Sequence, residues 1–373
     1  MQENDLDQIL GTEIGLWEDK LRKVRAVVIG SGLIAGKKHI PAFRRLGHKT
    51  ELVAICDLNL SAAKDVAGRF GIPKAYSDVA EMLRTEKPEL VDICTPPQTH
   101  TRLAIEAMEH GCHVLIEKPM ALTVDDCDQI VLAEKEYGVK VCVGHSDLFY
   151  EPFMKARQMV ENGAVGKVRG MRIFLSTPTT YMTSRSEHWA HRLPGGVIGE
   201  TGPHIVYMTL AFIPQIRAVS ADTLKVMNEY PWSSFEDYRI NLIGDDAISS
   251  ATVVYSTDEW AAKVEVLGDK GFLMMDLESM NVMQYRRREL KPVPVGLSLL
   301  RDSFQLLGAF VSNAIRVATK KVRSTHEIII SEFADSILSG SAPPVSAEEG
   351  REAVRVLNMV VESIEGEYAT KTA

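Results

Sequence analysis

The chain has 373 residues, 45% hydrophobic and 25% charged, the composition of a soluble globular protein that is too long for one compact core, so two domains are expected. Forty-two Lys and Arg against 50 Asp and Glu leave a net charge of −8, which excludes the basic excess of a nucleic-acid binder. Cys56, Cys94, Cys112, Cys127 and Cys142 are odd in number and form no CxxC pair, so neither a disulfide framework nor a zinc ribbon fits, and a reducing compartment is expected. Residues 1–23 read as an acidic extension without the apolar core of a signal peptide. No uncharged apolar run approaches the roughly 18 residues of a membrane span. A cytoplasmic location is the expectation.

From Val24 to His145 short β-branched runs alternate with segments of helical period, and the runs are apolar throughout, as in strands buried on both faces of a parallel sheet. Strands are predicted over 24–29, 51–56, 90–95, 113–117 and 140–144, with a short one near Ala75. Helices are predicted over 61–70, 79–84, 99–109 and 124–137. Thr123 reads as an N-cap ahead of Asp125 and Asp126, and Gly71, Gly111 and Gly138 mark helix ends. These elements make residues 24–147 a doubly wound α/β, dinucleotide-binding domain. Beyond Tyr150 come a helix over 152–161, alternating strands such as 167–175 and 248–255, and closing helices near 327–338 and 347–364. This is the pattern of an α+β domain over 148–373 whose mixed or mostly antiparallel sheet has one polar face.

The first strand runs into Gly30-Ser31-Gly32-Leu33-Ile34-Ala35, the GxGxxA fingerprint in its required strand-turn-helix context. Gly30 allows the tight turn, Gly32 the approach of a pyrophosphate, and Ala35 close packing at the helix start. Asp57, at the end of the second strand, stands where an acid accepts hydrogen bonds from the adenosine ribose. Its carboxylate would repel a 2′-phosphate, so NAD is expected as the cofactor, while Lys37 and Lys38 leave NADP open.

Further segments follow in order: His39 and Pro41 after the glycine loop, Thr95-Pro96-Pro97-Gln98-Thr99-His100 after the fourth strand, Glu117-Lys118-Pro119 after the fifth, and Gly195-Gly196-Val197-Ile198-Gly199-Glu200-Thr201-Gly202-Pro203-His204 later. With them the chain resembles the glucose-fructose oxidoreductase / inositol dehydrogenase (Gfo/Idh/MocA) family. The resemblance implies reversible hydride transfer between a nicotinamide and a carbinol carbon of a sugar, sugar acid, nucleotide sugar or cyclitol. It implies Lys118 as the proton-transfer residue, a cis Lys118-Pro119 bond, and cofactor contacts from Thr95, Pro96, Pro97, His100, Glu117 and Lys118.

Glu200 and His204 are four residues apart and would share a helix face as an acid-base pair; the family commonly has Asp at the first position, and the longer Glu shifts the carboxylate. Both are catalytic candidates. His188, Trp189 and Arg192 suit an apolar sugar face ringed by hydroxyls or a carboxylate, and Tyr150 and His204 are assigned with them and Lys118 to the substrate. His188, His191, Glu200 and His204 match no metal-ligand signature, and no metal is expected. The partners expected are a carbohydrate-like small molecule and further copies of the chain, as a homodimer or homotetramer through the second domain's sheet. Two other functional classes stay open: a glycosidase of the same fold that cycles a tightly held NAD, and a non-catalytic NAD-binding regulator.

Residues 286–323 have no clear counterpart in the family. Nine Lys and Arg face two acids there, around apolar residues such as Leu300, Phe304, Leu307 and Phe310 at helical spacing. A helix packed on its own or a neighbouring subunit is expected; a lid over a phosphorylated or nucleotide-linked sugar and a membrane-surface helix are the alternatives.

Overall fold

In a computed structural model of the protein, residues 22–286, 289–319 and 321–372 are described; most of the acidic extension, and Arg287, Arg288 and Lys320 of the basic segment, lie outside them. The chain divides into two compact units, one running to Gly144 and resuming over His326–Arg351, the other comprising His145–Thr325 and the chain from Glu352 onward.

The first unit is built on β1 (Val24–Ile29), β2 (Thr50–Cys56), β3 (Lys74–Tyr76), β4 (Leu90–Ile93), β5 (His113–Ile116) and β6 (Val141–Val143). These strands form one parallel sheet in the order β3-β2-β1-β4-β5-β6, the doubly wound arrangement expected from their unbroken apolar runs. The connecting helices start and stop where local chemistry dictates. Asn59 accepts from the backbone N–H groups of Ser61 and Ala62 at the start of Leu60–Phe70, which ends on left-handed Gly71. Thr123 Oγ1 accepts from Asp126 N at the start of Val124–Tyr137. All five cysteines are buried free thiols, and burial of this kind is usual for cysteine as a small apolar side chain.

The second domain expected over 148–373 gives up residues 326–351 to this first unit. Its helix Thr325–Ser339 is held there by Lys49, whose Nζ donates to Ser331 Oγ at 3.0 Å and to the Asp335 carboxylate at 2.6 Å, and by Lys140 Nζ, 2.6 Å from Ser336 O. Helical period marks a buried stripe but not the sheet that receives it, which is why the return of the chain was not legible.

The second unit carries β7 (Val168–Pro178), β8 (Ile216–Leu224), β9 (Asp237–Gly244), β10 (Ile248–Thr257), β11 (Ala261–Gly268), β12 (Gly271–Asp276) and β13 (Asn281–Tyr285) in the order β13-β12-β11-β7-β10-β9-β8. Only β7 and β10 pair in parallel; the other pairs are antiparallel. Burial alternates along β9 and β10. The open side mixes polar pairs, Arg172 on Glu265 and Ser250 on Asn241, with exposed apolar side chains such as Phe174 and Ile248, so it is less polar than expected. The basic segment forms the 27-residue helix Pro292–Ala318, whose hydrogen bonds to its own unit come from polar side chains such as Gln305 and Asn313.

Phe333 is fully buried in the helix Thr325–Ser339. Phe333→Ala is therefore expected to cost about 3–5 kcal/mol of stability, read as a fall in the denaturation midpoint; an unchanged midpoint would contradict the assignment of this helix to a packed core.

Candidate active site

In the first unit the expected residues gather at the carboxyl ends of the strands, where open α/β sheets bind ligands. Gly30 has φ +103°, and a Cβ there would lie 2.8 Å from Cys94 O, so only glycine fits between the turn and β4. Around Gly32 there is open space, and Ser31 to Ile34 are at least partly exposed while Ala35 is buried. Asp57 Oδ2 accepts from both Ser31 N at 2.8 Å and Ser31 Oγ at 2.7 Å, and Oδ1 accepts from Asn59 N. Partial burial would raise the Asp57 pKa, but these hydrogen bonds outweigh it and hold the carboxyl below its usual value. The cradle and its ionised acid thus fit a dinucleotide's pyrophosphate and ribose.

A π-helical turn, Ala35–His39, opens the following helix and leaves His39 buried. His39 Nδ1 lies 2.8 Å from Asp92 Oδ2, and Nε2 lies 2.7 Å from Glu117 Oε1. A carboxylate at each ring nitrogen is the arrangement in which both nitrogens donate, as in an imidazolium. Burial alone would discharge it; the Asp92 carboxylate outweighs burial and holds the His39 pKa well above 6.5. Burial would likewise raise Glu117, but His326 and His39 hold it well below 4.5. His326 Nε2 stands 3.6 Å from Glu117 Oε1, and its own pKa is lowered by burial. Glu117 Oε2 accepts from the Lys118 backbone N–H at 3.1 Å, and Lys118-Pro119 is cis, as the resemblance implied.

Two expected cofactor contacts take a different role. His100 is fully buried, with Nε2 2.8 Å from Thr95 O and Nδ1 3.1 Å from Pro119 O. Its ring ties the Thr95 turn to the Lys118-Pro119 segment. Glu117 is likewise committed to the buried histidines. Thr95 and Pro96 remain accessible, whereas Pro97 is buried.

In the second unit His204 stands on the helix Val197–Leu210, entered through left-handed Gly195 and Gly196. The expected pairing with Glu200 is not the one formed. His204 Nδ1 is held by Asp147 Oδ2 at 2.7 Å and by the Tyr207 hydroxyl at 2.5 Å, while Glu200 Oε2 accepts from Thr201 Oγ1. Asp147 arrives from the turn Ser146–Phe149, a contact that helix spacing could not reveal. Tyr150 is largely buried, which pushes its pKa up to about 12. His188 and Trp189 stack with ring centroids 5.9 Å apart, and Tyr181 approaches both His188 and Trp260. Tyr181, Trp189 and Trp260 are exposed aromatics and Arg192 is exposed beside them in sequence.

Among the described residues, the groups whose potential metal-ligand atoms lie within 4.8 Å of one another are His39, Glu117 and His326, and His39, Asp92 and Cys94; the set at 188–204 is not among them. Asp92, Tyr207, Asp147 and His326 escaped the sequence reading. A carboxylate inside the apolar run Leu90–Ile93 was the available signal for the first.

Residues 24–145 match the family described as "Oxidoreductase family, NAD-binding Rossmann fold", and residues 153–274 match the "GFO/IDH/MocA C-terminal domain". The chain belongs to the Gfo/Idh/MocA oxidoreductase family. It is 31% identical over 209 residues to the D-glucoside 3-dehydrogenase of Escherichia coli, covering 54% of this chain and 58% of that protein. It is 25% identical to the myo-inositol 2-dehydrogenase of Thermotoga maritima over 93% of this chain and 98% of that one. The same fold occurs in the WlbA dehydrogenase of Bordetella pertussis in complex with NADH and UDP-GlcNAcA, with TM-score 0.73, 21% identity and coverage of 92% and 96%.

The buried ions set a pH dependence. The raised His39 contributes stability that is complete below about pH 6.5 and is lost as pH rises toward its folded value; the lowered Glu117 contributes stability that is complete above about pH 4.5 and is lost as pH falls. His39→Gln leaves two buried carboxylates without their cation and is expected to cost about 3–5 kcal/mol. It should also flatten the decline of the melting midpoint above about pH 6.5; calorimetry showing the parent's slope in the variant would contradict this.

Proposed function

We propose that this protein is an NAD-dependent oxidoreductase that moves hydride between the nicotinamide and a carbinol carbon of a sugar, sugar acid, nucleotide sugar or cyclitol. The observation that carries the reading is the position of the Gly30 cradle, Asp57 and Lys118 at the carboxyl ends of one parallel sheet, in a chain of this family. When bound, NAD supplies the hydride acceptor. The loop from Ser31 to Ile34 receives the pyrophosphate at a helix start, Asp57 accepts from the ribose hydroxyls, and Thr95 and Pro96 border the same edge.

Lys118 takes the proton from the reacting hydroxyl, or returns it in the reverse direction, and a cationic nicotinamide nearby favours its neutral form. His204, oriented by Asp147 and Tyr207, serves as hydroxyl clamp or second acid-base group, with Glu200 as a further polar contact. Tyr181, His188, Trp189 and Trp260 offer apolar faces suited to a sugar ring, Arg192 suits a carboxylate or phosphate, and Tyr150 contributes to substrate binding. The five buried thiols fit a cytoplasmic enzyme, and the open face of the seven-stranded sheet, with exposed Phe174 and Ile248 among its polar pairs, fits assembly into a homodimer or homotetramer.

The test is a screen of NAD and NADP reduction over sugars, uronic acids, inositols and nucleotide sugars. The expected result is stoichiometric NADH from at least one of them, with Lys118→Ala lowering kcat by about 10²–10⁴-fold while NAD still binds. Turnover without net NADH would favour the glycosidase, and a Lys118→Ala variant of full activity would overturn the role of the lysine. Asp57→Ala is expected to raise the NADP:NAD ratio of kcat/KM by about tenfold or more, since the carboxylate that repels a 2′-phosphate is gone.

A further inference from the structure

The helix Pro292–Ala318, hereafter the basic-flanked helix, lies outside both family-matched segments and is mounted with its polar side inward. Asp302 is its buried residue. The side chains that hold it to its unit are polar: Gln305 exchanges hydrogen bonds with the Gln284 backbone at 3.0 Å, Arg301 donates to Gln284 O, Asn313 donates to Ser279 O and Met280 O, and Arg316 pairs with Glu151. At 3.6 residues per turn these lie on one arc. The opposite arc carries Leu297, Leu300, Phe304, Leu307, Phe310 and Ile315, each more than half exposed. Val293 and Val311 are exposed on the same arc, so the apolar face runs the length of the helix, and a contiguous exposed patch of this kind marks an interaction surface.

Charge decides what covers it. Segment 286–323 holds nine Lys and Arg against Glu289 and Asp302, in a chain of net charge −8. Arg286 and Lys291 stand exposed at one end of the helix, Lys321 and Arg323 at the other. Pairing this face with a second copy, parallel or antiparallel, would set basic ends against basic ends. An anionic bilayer surface satisfies both features, taking the apolar arc at the acyl boundary and the bases at its head groups. No helix among the described residues is long and apolar enough to cross a membrane, so the helix would lie along the surface.

We propose that the basic-flanked helix docks the protein onto the surface of an anionic lipid bilayer. The test is co-sedimentation of the full-length protein with vesicles of phosphatidylcholine alone and with about 30 mol% phosphatidylglycerol. Binding is expected to the anionic vesicles, weakening in about 0.5 M salt as the head-group attraction is screened. Leu307→Glu with Phe310→Glu is expected to lower the partition coefficient about tenfold or more, since two buried apolar contacts are lost, at an unchanged melting midpoint. Should that pair fail to fold, Leu307→Gln with Phe310→Ser is the milder version. Lys321→Glu with Arg323→Glu is expected to remove the preference for anionic vesicles. Absence of binding to either vesicle would overturn the proposal, as would equal binding to both. A dimer in sedimentation velocity that Phe310→Glu dissociates, without vesicle binding, would assign the face to a second copy instead.

Discussion

A buried positive charge organises the first unit. Removing an imidazolium from water costs several kcal/mol unless it is paired and hydrogen-bonded on every side, and His39 meets that condition with a carboxylate at each ring nitrogen. One carboxylate comes from the middle of β4 and the other from the end of β5, so a single ring fixes the turn after β1 against two neighbouring strands. Asp92 Oδ1, buried with no hydrogen-bond partner among the described residues, indicates that this pairing was reached at some cost in polar satisfaction. Loss of the cation would leave two carboxylates facing each other in a dry interior.

The consequence for chemistry runs through Glu117. Its Oε1 faces His39 and His326 and its Oε2 holds the backbone of Lys118, so the residue that carries the proposed proton transfer leaves a strand end whose preceding side chain cannot reorient without breaking an ion pair. His100 adds a second tie, from the Thr95 turn to Pro119. The second unit repeats the device with less burial: His204 is oriented by Asp147 and Tyr207, and Tyr207 is itself stacked on His145 at 4.4 Å. In each unit the group proposed for acid-base work is positioned by a buried or half-buried neighbour.

Much of this was legible in the sequence because it rests on local rules. The apolar runs gave the parallel strands, Thr123 and Gly71 gave helix ends, and the Gly30 to Ala35 turn followed by Asp57 carried the cofactor cradle. What was not legible depends on contacts between distant segments. His326 lies 209 positions from Glu117, and Asp147 lies 57 from His204; periodicity carries no information about such meetings. Glu200 was paired with His204 by helix spacing alone, and the nearer partner came from a turn outside the helix. The basic-flanked helix shows the same limit: its period was legible, but the backbone carbonyls of Ser279, Met280 and Gln284 that receive its polar side chains were not.

The charge on His39 is the most direct point of attack on this account. Selective ¹⁵N labelling of histidine, with ring-nitrogen shifts assigned to His39 through the His39→Gln variant, reports its protonation state at pH 7.5, about one unit above the ordinary histidine pKa. Two protonated ring nitrogens are expected there. A neutral imidazole with one bare nitrogen would contradict it, because one of the two carboxylates would then have to carry the shared proton.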